Sequence, residues 1–147
     1  MKFSPSVISG LVGSIVLTAL HQVLKANVKH APRMDKLGEQ ALQKVISVAG
    51  GEVKSEENLY NITMAGDLTG NALYYSLVGS LPVNSVAAGA SLGLAAGLGA
   101  VLLPEELGLN KKYSNATTKT QLLTIAIYLA GGIAAGLVHE RLANRNG

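Results

Sequence analysis

Cysteine and tryptophan are absent, phenylalanine occurs once and proline four times. Without cysteine there is no disulfide framework, no thiolate metal site and no cysteine nucleophile. With no Trp and a single Phe, five tyrosines are left to supply an interfacial aromatic belt. Charge is scarce too. Asp, Glu, Lys and Arg make up 14% of the 147 residues, against about a quarter in a soluble domain.

The missing charge is concentrated. Residues 7–24, 68–104 and 120–138 contain no Asp, Glu, Lys or Arg. Charge-free runs of 18 or more residues are candidates for transmembrane helices. The first run resembles the apolar part of a signal peptide, but it is longer than usual and no small-residue cleavage site follows. The net charge of +3 comes from dispersed bases with few aromatics between them. Such a pattern speaks against a nucleic-acid surface and points to membrane orientation.

Glycine is abundant, at 17 residues, and falls mostly inside the apolar runs. In a soluble helix each would cost roughly 1 kcal/mol. In lipid, glycine lets helices approach closely. Gly89, Gly93 and Gly97 repeat every four residues, and Gly132 and Gly136 do the same later. These five are the candidate helix-packing residues.

The pattern predicts an all-α polytopic membrane protein, one bundle of four spans over about 7–27, 59–81, 86–103 and 119–140. An amphipathic helix over about 32–49 is expected between the first two spans, lying on the membrane surface or folded over the bundle. Its apolar side carries Met34, Leu37, Ala41, Leu42, Val45 and Val48, with Asp35, Lys36, Glu39 and Lys44 among the residues of the other side. Pro32 suits its first turn, and Gly50-Gly51 ends it. Ser55 is a candidate N-cap for the second span, Pro104 a stop for the third, and Thr118 with Gln121 a capping box for the fourth. The short link at 82–85 predicts that the second and third spans pack as antiparallel neighbours.

Lys25, Lys29, Arg33, Lys36, Lys44, Lys54, Lys111, Lys112 and Lys119 fall in the two long connectors or at their edges, while Lys2, Arg141 and Arg145 lie on the other side. The positive-inside rule therefore places both connectors in the cytoplasm, with a bacterial inner (plasma) membrane as the expected location.

The second span carries the chemistry. Tyr60, Thr63, Asp67, Gly70, Asn71 and Tyr74 step by three or four and share one helical stripe. A carboxylate in mid-membrane costs on the order of 2.5–3.5 kcal/mol and needs a partner or a task. Asp67, His21, Asn71, Tyr74 and Thr63 are therefore the intramembrane polar candidates. His21 lies within about one helical turn of the depth of Asp67, so a His21–Asp67 pair is a candidate contact. The bland alternative is a packing role, with Asp67 hydrogen-bonded to nearby threonine or asparagine.

No metal is expected: His30 and His139 fall at opposite ends, and no HxxxH motif or cysteine pair exists. The glycines form no phosphate loop and no nucleophile elbow is present, so neither a cofactor nor an enzyme activity is expected. Two function classes remain. The first is an interaction or accessory subunit that packs on other membrane proteins or on itself, with lipid as solvent. The second is a small proton- or cation-linked transporter using Asp67 and His21.

Overall fold

A computed structural model describes residues 4–146. Among them the chain is helical throughout, with no strand. Helix α1 spans Pro5–Asn27, α2 Met34–Val48, α3 Glu56–Ser76, α4 Ser85–Glu106, α5 Lys112–Asn115 and α6 Thr118–Asn146, and a 3-10 turn at Leu77–Ser80 follows α3. Three helices, α1, α4 and α6, are long and apolar enough to cross a membrane. α3 does not reach that hydropathy, because Glu56, Glu57, Asn58, Asn61, Asp67 and Asn71 fall within its 21 residues.

The helix ends show how local chemistry sets the boundaries. α1 starts at Pro5, two residues before the span expected from the sequence. The Ser4 hydroxyl accepts from the Val7 amide at 3.3 Å, and Pro5 opens the first turn. Ser55 caps α3 as expected, accepting from Asn58 N at 3.3 Å. Pro32 lies before α2 rather than in its first turn; Arg33 is the N-cap residue. Pro104 does not stop α4, which runs on to Glu106 and ends before Gly108 at a φ of 69°. The capping box on α6 lies one residue earlier than the sequence suggested. The Thr120 amide donates to the Thr117 hydroxyl at 3.1 Å, and the Thr117 amide donates to the Thr120 hydroxyl at 3.2 Å.

α6 is the central helix, with α1 on one side and α4 on the other. On the α4 side, a Cβ built on Gly93 would lie 2.5 Å from the Tyr128 carbonyl, and one on Gly97 would lie 2.8 Å from Ile125 Cα. Gly89 abuts Gly132, and Gly136 abuts Ser85 and Val86. On the α1 side, Gly131 faces Gly13 and Leu17. Tyr75, fully buried, donates to the Tyr128 carbonyl at 2.7 Å and ties α3 to the same helix.

α3 packs mainly on α1. Gly10 meets the backbone of Ala72 and Ser76, and the Ser14 hydroxyl donates to the Leu68 carbonyl at 2.7 Å. The expected α3–α4 neighbour pair does not form: the two helices scarcely touch. The 3-10 turn and the extended Leu81 that follows it redirect the chain, so that α4 joins α6 while α3 stays on α1. α2 folds across the connector end, against α3 and α5. Its reversal out of α1 passes through His30 at a φ of 62°, whose carbonyl accepts from Thr120 Oγ1 at 2.7 Å.

Candidate functional site

Two polar features meet where α1, α2, α3 and α6 converge. The first is built on Asp35, near the start of α2 and only 2% exposed. Arg33 Nη2 lies 2.9 Å from Asp35 Oδ2 and Arg33 Nε lies 3.0 Å from Oδ1. Lys25, from the last turn of α1, donates to Oδ2 at 3.2 Å. His21 Nε2, one turn earlier on α1, lies 3.7 Å from Oδ1. Burial alone would raise the Asp35 pKa. The hydrogen bonds from Arg33 and Lys25 outweigh it and hold the carboxyl well below the usual carboxylate range. The cluster fastens α2 to the end of α1, and the Arg33 amide donates to the Tyr113 carbonyl at 2.8 Å, fastening it to α5 as well.

The second feature is Asp67. No described side chain donates a hydrogen bond to it. On one side it borders a hole of about 20 Å³ shared with Thr18, His21 and Asn71. That is room for about one water. On the other side it borders a cleft of about 470 Å³ between α3 and α4, roofed by Met34, Leu37 and Ala41 of α2. The cleft is the space left where α3 and α4 part. Tyr74 spans its floor, donating to the Leu92 carbonyl at 2.8 Å, and Tyr128 lines both cleft and hole.

The polar candidates thus converge in part. Asp67, His21 and Asn71 share the hole, and Asp67 and Tyr74 share the cleft. The candidate pair between His21 and Asp67 gives way to another: the carboxylate beside His21 is Asp35. Asp35 lies only ten residues beyond Lys25 and two beyond Arg33, and the reversal at His30 brings all three together. Thr63 sits under Gly38 of α2, where its hydroxyl is buried without a hydrogen-bond partner, as is His21 Nε2.

Sequence reasoning missed Asp35 as a buried centre, because on an amphipathic helix it reads as part of the solvated side. The bases at Lys25 and Arg33 were the available signal. It also missed Tyr75, which no stripe of small and polar residues includes. His139 lies at the far end, its Nδ1 2.8 Å from Ser85 Oγ. Among the described residues no group of three or more His, Asp or Glu side chains is placed to hold a metal. No family model, curated protein or solved structure matches this chain.

Proposed function

We propose that the protein is an integral membrane interaction subunit in which α1, α3, α4 and α6 all cross the bilayer and α2 lies at the cytoplasmic interface. The observation that carries this reading is the outer face of α3. Asn61, Ala65, Gly66, Thr69 and Gly70 are exposed there, and a Cβ built on Gly66 or Gly70 meets nothing within 4 Å. α3 is the least apolar of the long helices, yet it is covered mainly on the sides facing α1 and α2. In lipid, small residues beside Asn and Thr favour another helix over acyl chains, because backbones can approach and side chains can hydrogen-bond across. The ladder of Gly89, Gly93 and Gly97 cannot serve this purpose, being occupied by α6.

The test is native mass spectrometry from membranes, on wild type and on a Gly66→Ile, Gly70→Ile double variant. Wild type should emerge with a second copy or another subunit attached, and the variant as a monomer of unchanged helicity. A monomeric wild type, or a variant that keeps its partner, removes the proposal.

A second reading, proton- or cation-linked transport, is favoured by one observation: the unpartnered carboxylate of Asp67 stands between the hole at His21 and the open cleft. Loss of flux in proteoliposomes carrying a folded Asp67→Asn variant would support it, and unchanged flux would end it.

A further inference from the structure

We propose that the cleft between α3 and α4 binds an amphiphilic organic cation, an ammonium group on an apolar body, with Asp67 as its counter-ion. At about 470 Å³ the cleft falls within the range of small-molecule sites. Its walls are apolar, including Leu37, Ala96, Gly99 and Leu103, and Asp67 is the single carboxylate among its lining residues. Lys25 and Arg33 do not neutralise Asp67, because both bind Asp35. An anion would be repelled, and a neutral occupant would leave the carboxylate desolvated and unpaired. A cation pairs it, and Tyr74 and Tyr128, aromatic rings of the kind that attract positive charge, line the same cleft.

The ammonium group could belong to a free amphiphile or to a lipid headgroup. Neither Gly66 nor Gly70 lines the cleft, so the site does not rest on the subunit reading.

The experiment measures saturable binding of labelled tetraphenylphosphonium, an apolar cation, to the purified full chain in neutral detergent, with dodecylamine and dodecanol as competitors. Dodecylamine should displace the probe at a concentration at least about tenfold below that of dodecanol. Asp67→Asn should weaken binding about tenfold or more. Gly99→Leu should do the same by filling the cleft; the nearest atom to a Cβ there is Leu103 Cδ1 at 3.5 Å, so the variant has room to fold. Repeating the titration in nanodiscs separates the sources. Weaker binding in phosphatidylethanolamine than in phosphatidylglycerol assigns the site to a headgroup amine, and equal binding assigns it to a free amphiphile. Equal competition by dodecanol and dodecylamine, or undiminished binding in both folded variants, overturns the proposal.

Discussion

Asp35 holds two cations, with His21 alongside at 3.7 Å, at the joint between α1 and α2. Replacing it with Asn removes the acceptor charge while leaving Lys25 and Arg33 crowded together. The expected cost at pH 7 is about 2–3 kcal/mol, read as a lower unfolding midpoint in mild detergent. The same residue sets an acid limit. Its folded pKa is depressed below the unfolded value. Its contribution is therefore complete at neutral pH, begins to fade near the ordinary carboxylate pKa of about 3.9 and is lost as pH falls through the lower folded value. Wild type should lose stability through that window, and Asp35→Asn should show a shallower slope; parallel pH profiles would contradict this assignment. None of it was legible from residue 35 alone. A carboxylate among Lys36, Glu39 and Lys44 reads as one more surface charge until the reversal at His30 brings Lys25 beside it.

Helices were legible where charge was missing. Lipid excludes ionised groups, so uninterrupted apolar runs mark α1, α4 and α6 directly, and α2 follows from its two-sided pattern. Helix neighbours were not legible. A short link says that two helices reverse direction, but the one-turn 3-10 segment at Leu77–Ser80 decides where the second one goes. The result is a cleft where the sequence implied contact, with α2 laid over it. Gly38 allows that fit: a Cβ there would lie 2.8 Å from Thr63 Cγ2 and 3.3 Å from Asp67 Oδ2. Gly38→Leu should lift α2 off α3 at a cost of about 1–3 kcal/mol. Hydrogen exchange should then quicken across 34–48 and stay slow across α4 and α6. Unchanged protection in α2 would show that its other anchors suffice. Gly93→Leu should have the opposite distribution, loosening α4 from α6 and leaving α2 protected.

The whole molecule is polar in charge as well as in direction. Both long connectors gather at one end, with Asn115 of the second bonded to Val101 and Arg33 of the first bonded to Tyr113. Most of the Lys and Arg residues lie there, so that end is expected in the cytoplasm. The absence of native cysteine makes this directly measurable. In intact cells, Ser80→Cys, at the opposite end, should react with a membrane-impermeant maleimide, and Ser47→Cys, on α2, should react only after lysis. The reverse pattern would invert the orientation. The positive-inside asymmetry was readable in the sequence; the way the chain closes on itself was not.

Because α4 leans on α6 and scarcely on α1 or α3, the α1–α3 pair and α4 have no common scaffold while the chain is being synthesised. They must wait in the bilayer, or in the keeping of the insertion machinery, until the C-terminal helix arrives between them. A chain halted before residue 118 should therefore be inserted with α4 unpacked, and quality-control proteases should clear it faster than a chain halted after α6.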